Sequence, residues 1–306
     1  MIGRRDRRRP GLVTLARRVL VEDVALPRGD VVLCAVSGGP DSSALLHALA
    51  SLRARLGLRL VACAVDHGLR SAAAAELALA ATLARQLDVP CDVEVVDVAP
   101  GGNLQARARA ARHDALRRVA ARRGAAWIAT GHTADDRAET VVMRLMRGAG
   151  PRGLAVLPPR EGLLIRPLIR ARRADVLAHL AHHGIAVAAD PSNADPRFLR
   201  TRVRAEVLPL LGELAPRIVE ALCDLADALA PVREAPDPLG ALNRDQRQAI
   251  ARAQVLGRTT ARVRIAGGRE LLATFPVISR PDGLPQEAGV RIQEVTSGGG
   301  RRRRGP

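Results

Sequence analysis

The chain contains no lysine, no tyrosine and almost no other aromatic side chain. Trp127, Phe198 and Phe275 are its only Trp, Tyr or Phe residues, and all 48 Lys-plus-Arg positions are arginine. A Walker phosphate loop requires a lysine, so that class of nucleotide site is excluded. The scarcity of aromatic rings argues against a base-stacking platform of the RRM or OB type.

Cysteine is also scarce. The four cysteines are widely spaced and form no CxxC pair, which gives no support for a zinc site, an iron–sulfur site or a disulfide framework. Cys34 and Cys63 lie in apolar runs and are predicted to pack as small hydrophobes. No apolar run approaches membrane-spanning length, and none follows the basic N-terminus as in a signal peptide. We therefore expect a cytoplasmic protein with no membrane partner.

The formal net charge is +17, and this charge has two interpretations. It suits a polyanionic partner such as nucleic acid, whose phosphates arginine would contact. Arginine without lysine is also what a GC-rich genome produces regardless of function. Composition alone leaves both interpretations open.

Apolar strands and helices alternate up to about residue 150. The strands are predicted at 31–36, 58–65, 92–98 and 125–130, and the helices at 72–87, 104–122 and 134–146. This order predicts an α/β fold with a doubly wound parallel sheet. Ligands of such sheets bind at the carboxyl ends of the strands, where the polar clusters 37–42, 66–70 and 131–140 fall.

The remaining chain is predicted to add a smaller, mainly helical C-terminal domain. A basic N-terminal arm with a first helix is expected at 1–30, and the main domain at 31–210. The small domain is expected at 211–297, and a disordered arginine-rich tail at 298–306. Pro209 to Pro216 is the expected seam. Helices are expected at 216–230 and 243–256, and a hairpin is expected around Gly267 and Gly268.

The most informative segment is Ser37-Gly38-Gly39-Pro40-Asp41-Ser42, between the first strand and a helix. The glycines allow backbone N–H groups to approach an anion, and the helix N-terminus favours negative charge there. The segment resembles the pyrophosphate loop of the PP-loop ATP-pyrophosphatase superfamily, which cleaves ATP between its α and β phosphates.

A second motif, residues 131–140, begins the helix after the fourth strand. Asp136 and Glu139 lie three residues apart and share one face of that helix. With Asp41 they could bind the Mg²⁺ that accompanies the phosphates of ATP. Acidic residues in a first turn also complement the helix dipole without any metal.

Five motifs together resemble the tRNA(Ile)-lysidine synthetase family over roughly residues 31–210. They are SGGPDS, DHGLR at 66–70, an arginine motif with Arg109 and Arg112, GHTADDRAET at 131–140, and DPSN at 190–193. The resemblance implies adenylation of the wobble cytidine of an isoleucine tRNA with a CAU anticodon. The ε-amine of free L-lysine then displaces AMP. A homodimer is a further possibility.

The resemblance also implies roles for individual residues. Residues 37–42 would hold the pyrophosphate, and Asp41, Asp136 and Glu139 would bind metal and deprotonate the amine. His132 would contact ATP or the pyrimidine, and Arg109 and Arg112 would neutralise phosphate charge. Asp66 and His67 would lie where adenine or substrate passes, although packing or capping explains them nearly as well.

Departures from the family pattern and rival functions remain. His113 and Thr201 stand where that family usually has an aromatic residue and asparagine. From the length we expect the chain to stop short of the extra C-terminal domain of longer members, so that tRNA discrimination would rest on roughly residues 210–290. The alternatives are another PP-loop tRNA-modifying enzyme that thiolates a base, an amidotransferase-linked PP-loop enzyme, and a non-catalytic ATP- or RNA-binding protein. The cysteine spacing suits no thiolating relative, and the length leaves no room for a glutaminase domain.

Overall fold

The computed structural model describes residues 10–66, 73–97, 104–188, 198–234, 242, 244–255, 258–264, 270–274 and 291–295. Within them the chain divides into two compact units, Met1–Arg233 and Glu234–Pro306. No described helix is long and apolar enough to cross a bilayer.

A six-stranded sheet forms the centre of the first unit. Its strands are β1 Val31–Val36, β2 Arg59–Asp66, β3 Cys91–Val95, β4 Trp127–Ala129, β5 Arg160–Glu161 and β6 Leu164–Ile165. They lie in the order β3-β2-β1-β4-β6-β5, and every pairing is parallel except that of the edge strand β5 with β6. The strand order changes direction between β1 and β4, so the topological switch point lies there.

Helices surround this sheet. They are α1 Leu12–Arg18, α2 Pro40–Leu56, α3 Ala73–Gln86, α4 Leu104–Arg123, α5 Ala134–Met146, α6 Pro151–Leu154, α7 Arg173–His182, α8 Leu199–Arg202, α9 Leu208–Leu214, α10 Ile218–Ala228 and α11 Ala230–Glu234. Two π-helical turns, Val19–Asp23 and Val203–Val207, extend α1 and join α8 to α9.

The two faces of β1 are covered by different helices. Val32 and Cys34 belong to the core that contains α2, α3 and α7, whereas Val31 and Leu33 belong to the core that contains α4. Successive side chains of a strand point to opposite faces, so a continuous apolar run is what a sheet covered on both faces requires. The predicted doubly wound α/β fold is confirmed.

The second unit contains one described helix and one described sheet. Helix α12, Arg244–Val255, accompanies an antiparallel sheet of β7 Thr260–Arg264, β8 Glu270–Thr274 and β9 Arg291–Val295. Its buried core includes Leu242, Ile250 and Val263. The predicted hairpin is confirmed by the β7–β8 pairing, while Gly267 and Gly268 themselves lie outside the described residues.

Residues 208–214 differ from the sequence expectation. The proposed seam from Pro209 to Pro216 is largely helix α9, and the compact units divide after Arg233 instead of after residue 210. Pro209 sits in the first turn of α9, where a missing N–H is tolerated. Helix α10 belongs to the first unit because its Val219, Leu222 and Ala226 pack in one core with residues of α5.

Candidate active site

The glycine-rich loop lies between the end of β1 and the start of α2, at the switch point of the sheet. The Ser37 N–H donates to the Ser42 Oγ at 3.1 Å, and the Ser42 hydroxyl donates to the Gly39 carbonyl at 3.0 Å. The two serine hydroxyls are 3.2 Å apart. These contacts close the loop on itself in front of the α2 N-terminus, where a phosphate group is electrostatically favoured.

Two glycines let the backbone pack closely around this loop. Gly38 has φ +74°, and a Cβ there would overlap the carbonyl of Glu76 on α3. A Cβ on Gly131 would lie 2.9 Å from the carbonyl carbon and oxygen of Asp41. The motif that follows β4 therefore packs directly on the first turn of α2, and the two motifs form one site.

Asp41 is the least compensated charge of this site. It lies in the first turn of α2, and its Oδ1 is buried without a hydrogen-bond partner in the described structure. Burial and the neighbouring Asp136 carboxylate raise the pKa of Asp41 to about 6, against the lowering effect of Arg173 and Arg204. A buried oxygen without a partner is costly, so this atom is suited to a cation or a donor supplied by a ligand.

Asp136 and Glu139 project from the first turns of α5, as predicted, and both are buried. Asp136 completes a capping box: its Oδ2 accepts from the Thr133 N–H at 2.8 Å and from the Thr133 hydroxyl at 2.9 Å. Burial alone would raise the pKa of Asp136, but the Arg200 guanidinium and the Thr133 N–H bring it below its usual value. Asp136 is therefore ionised and also secures the helix start.

Three arginines converge on these two carboxylates. Arg200 donates to the Asp136 Oδ1 and to the Glu139 Oε2, each at 2.8 Å. Arg204 donates to both Glu139 oxygens at 2.6 and 3.1 Å, and Arg173 lies 3.7 and 3.8 Å from the Asp136 and Glu139 carboxylates. Both Glu139 oxygens are thus engaged by guanidinium groups, whereas Asp41 keeps an open one.

Arg173 takes its position from the contact between α5 and α7. Its backbone N–H donates to the Asp135 carboxylate at 2.7 Å, and the Arg172 guanidinium also donates to that carboxylate. Arg173, Arg200 and Arg204 are not among the site residues predicted from the sequence. Because the chain contains so many arginines, their residue type alone does not mark a site.

His132 faces a second group of arginines. The His132 Nδ1 and the Thr130 hydroxyl lie 2.9 Å apart. Burial holds the pKa of His132 well below its usual range, an effect that Asp136 opposes and that Arg166, Arg109 and Arg112 reinforce. The neutral imidazole can therefore contact a base or a phosphate without adding charge.

Arg109 and Arg112 lie on α4, as the sequence predicted, and Arg166 follows β6. Arg166 belongs to none of the motifs recognised in the sequence. Its side chain is buried and donates to the Pro158 carbonyl and to Glu161, with its Nε unpartnered among the described residues. Burial and then Arg109 lower the pKa of Arg112. Excess positive charge at this position favours an anionic ligand.

Two predicted positions are less informative. Asp66 is the last residue of β2, and its carbonyl accepts from the Val96 N–H at 2.8 Å. His67 and the DPSN motif at 190–193 lie outside the described residues.

Beside Glu139, a cavity of about 250 Å³ is lined by Asp135, Arg172, Arg173 and Arg204 together with apolar residues of α9 and α10.

A model of the PP-loop domain family matches residues 14–211. A relative from Salinispora tropica, named tRNA(Ile)-lysidine synthase, is 44% identical over 229 residues, which are 72% of this chain and 68% of the relative. The chain belongs to the tRNA(Ile)-lysidine synthase family. This family consists of ATP-dependent ligases with a PP-loop domain, so ATP use follows from membership.

Other comparisons define the extent of the family match. The Thermobifida fusca tRNA(Ile)-lysidine synthase is 42% identical, with 78% of this chain and 72% of that relative covered. The Symbiobacterium thermophilum synthase is 43% identical, but this chain spans only 47% of its length. The U34-tRNA thiolase NcsA from Methanococcus maripaludis has the same fold, with a TM-score of 0.61, 19% identity, and 76% of this chain and 82% of that chain covered.

Proposed function

We propose that this chain adenylates the wobble cytidine of an isoleucine tRNA that carries a CAU anticodon. The ε-amine of free L-lysine then displaces AMP, so that lysidine, AMP and pyrophosphate are formed. One observation carries the proposal: Asp41, in the phosphate loop, has a buried Oδ1 without a hydrogen-bond partner in the described structure, and its backbone packs closely on Gly131 of the second motif.

The loop from Ser37 to Ser42 would bind the β and γ phosphates of ATP. Its hydroxyl groups and the α2 N-terminus supply donors to the leaving pyrophosphate. Arg109 and Arg112 are the nearby guanidinium groups that would neutralise charge on the α-phosphate. His132, held neutral, would contact the nucleotide or the pyrimidine ring.

The donor set fits one Mg²⁺ ion at Asp41 and Asp136. The open Asp41 oxygen favours a hard cation, and Asp136 is ionised next to it. Both oxygens of Asp136 and of Glu139 already accept hydrogen bonds, so either carboxylate would bind the ion only by giving up one of them. When bound, Mg²⁺ would neutralise phosphate charge during pyrophosphate release.

The second step needs a neutral amine. The unperturbed pKa of a lysine side chain is about 10.4, so a base must accept a proton from it. The carboxylates Asp41, Asp136 and Glu139 would supply that base. The cavity beside Glu139 offers carboxylates, guanidinium groups and an apolar wall, which match the charged ends and the alkyl chain of free lysine.

The test is lysine incorporation into tRNA. Purified protein should transfer labelled lysine to the wobble base of the CAU-anticodon isoleucine tRNA and release AMP and pyrophosphate in a lysine-dependent reaction. A methionine tRNA with the same anticodon should be a poor substrate. Sulfur or ammonia incorporation, or equal modification of both tRNAs, would contradict the proposal.

The variants Asp41→Asn and Asp136→Asn test the assignment of the carboxylates. Each should reduce AMP formation by roughly 10²-fold or more, because each removes charge from the cation and phosphate site. The affinity for tRNA should change little, since it rests on arginines elsewhere. Asp114→Asn, on the exposed side of α4, is the matched control. Near-normal AMP formation by both site variants would show that the carboxylates have another role.

A further inference from the structure

Four of the seven histidines of the chain gather away from the phosphate loop. His47 lies on α2, His179 on α7, and His182 and His183 at the end of α7. The ring centroids of His47 and His183 are 4.3 Å apart, and those of His179 and His183 are 4.6 Å apart. Neither the phosphate chemistry nor the adenylation step uses these rings.

The nitrogen atoms of three rings point toward one another. The His179 Nε2 and the His47 Nδ1 are 3.0 Å apart, and one ligand atom from each of His47, His179 and His183 lies within 4.8 Å of the others. Around a tetrahedral ion with metal–nitrogen bonds of about 2.0–2.1 Å, the ligand atoms would lie about 3.4 Å apart. A small ring rotation therefore brings three imidazoles to one ion.

The spacing along the chain fits the same geometry. His179 and His183 are four residues apart, so they project from one side of α7 and its C-cap. His47 approaches from the adjacent helix and completes a three-imidazole face. An imidazole donor set without carboxylates suits borderline divalent ions and not Mg²⁺ or Ca²⁺.

Among the described residues, the groups that shift the pKa values of the His47 and His179 rings are other imidazoles. Burial, followed by neighbouring imidazoles, lowers the pKa of His179 to about 4, and burial and His183 lower that of His47. The His47 and His179 rings are consequently neutral at neutral pH, and neutral imidazole is the form that binds a metal.

We propose that His47, His179 and His183 form a binding site for a divalent transition-metal ion of the zinc class. The ion would join α2 to α7, the helices whose first turns bring Asp41 and Arg173 to the active site. The chain after His183 also returns to the phosphate loop, since the Ala188 N–H donates to the Gly38 carbonyl at 3.0 Å. The site is independent of the proposed function.

The experiment uses the untagged full chain, because an affinity tag of histidines would itself bind the probe. After removal of metals with a chelator, Zn²⁺ is titrated calorimetrically, and Co²⁺ binding is followed by its visible absorption bands. We expect one ion per chain, tetrahedral cobalt bands and a higher Tm with Zn²⁺. The same stoichiometry in Asp41→Asn would separate this ion from one bound at the carboxylates.

His179→Gln and His183→Ala should each weaken Zn²⁺ binding by roughly tenfold or more and abolish the rise in Tm. His183 is exposed, so its variant keeps the test valid if His179→Gln fails to fold. His113→Ala, which alters a histidine on α4, should bind Zn²⁺ as the unmodified chain does. Absence of binding by the unmodified chain, or binding that survives both variants, would overturn the proposal.

Discussion

Asp41 lies in an environment that disfavours a charged carboxyl group. Its pKa is raised because burial and the Asp136 carboxylate disfavour the charged form. At neutral pH the folded chain therefore holds this charge at a cost, which a bound cation would remove. A site that is electrostatically unfavourable when empty is a common property of catalytic centres.

Asp41→Asn should therefore stabilise the ligand-free chain at about pH 7.5 but not at about pH 4. The folded pKa of Asp41 lies above its unfolded value of about 3.9, so the folded chain binds more protons between these values. Stability is consequently highest below the unfolded pKa and falls as pH rises through about 6. The gain at pH 7.5 should be on the order of 1–3 kcal/mol, measured by urea unfolding.

The control for this prediction is Asp114→Asn, because Asp114 is exposed and pairs with Arg117 on the surface of α4. Its unfolding free energy should change by less than about 0.5 kcal/mol at either pH. If Asp41→Asn lowers the unfolding free energy equally at both pH values, partner groups must stabilise the charged Asp41 carboxylate in the folded chain.

At the scale of elements, the close approach of the β4–α5 connection to α2 assembles the site. Gly131→Ala would place a Cβ against the Asp41 backbone, which cannot yield as a flexible side chain would. We expect a loss of about 1–3 kcal/mol in unfolding free energy and a matching fall in kcat/KM for lysine incorporation.

Gly150→Ala is the matched control, because nothing lies within 4 Å of a Cβ at that position. It should leave both unfolding free energy and kcat/KM nearly unchanged. Equal effects of the two substitutions would mean that close packing at Gly131 is not what joins the two motifs.

Local sequence patterns predicted most elements because each carries its own boundaries. Helix α5 occupies residues 134–146 as expected, since Thr133 and Asp136 mark its start. Strands β5 and β6 have two residues each, too few to show any periodicity. Helix α9 was missed because Pro209 was interpreted as the end of a helix. Pro209 instead lies in the first turn of α9, directly after the π-helical turn Val203–Val207.

The site was predicted less completely than the fold. Asp41, Asp136, Glu139 and His132 stand in motifs with recognisable spacing, and the structure brings them together. Arg173 and Arg166 come from distant parts of the chain, and their relation to the carboxylates depends on how α7 and β6 pack. Such contacts have no signature in local sequence.

At the scale of the whole molecule, the clustered arginines at 1–10 and 298–306 are predicted to tune tRNA affinity without contributing to chemistry. Residues 1–9 and 298–306 lie outside the described residues, and the prediction rests on the charge of the two segments alone. Deletion of both should weaken tRNA binding and reduce the slope of log affinity against log salt, because fewer counterions are released.

Filter binding at several salt concentrations would measure that slope, and lysine incorporation at saturating tRNA should be retained. A deletion that keeps the arginines of one tail provides an internal control, with an intermediate slope. Loss of incorporation at saturating tRNA would mean that one tail takes part in folding or catalysis.

The guanidinium groups around the carboxylates and His132 have a consequence for chemical selectivity. Arg109, Arg112, Arg166, Arg173, Arg200 and Arg204 supply positive charge, and the chain contains no lysine at all. A guanidinium stays protonated and delocalised, whereas an ammonium group desolvated in a pocket readily loses its proton and becomes a nucleophile. An activated base in this site would therefore meet no side-chain ε-amine of the protein. The enzyme would be protected from covalent attachment to its own substrate, and the incoming amino acid would have no internal competitor.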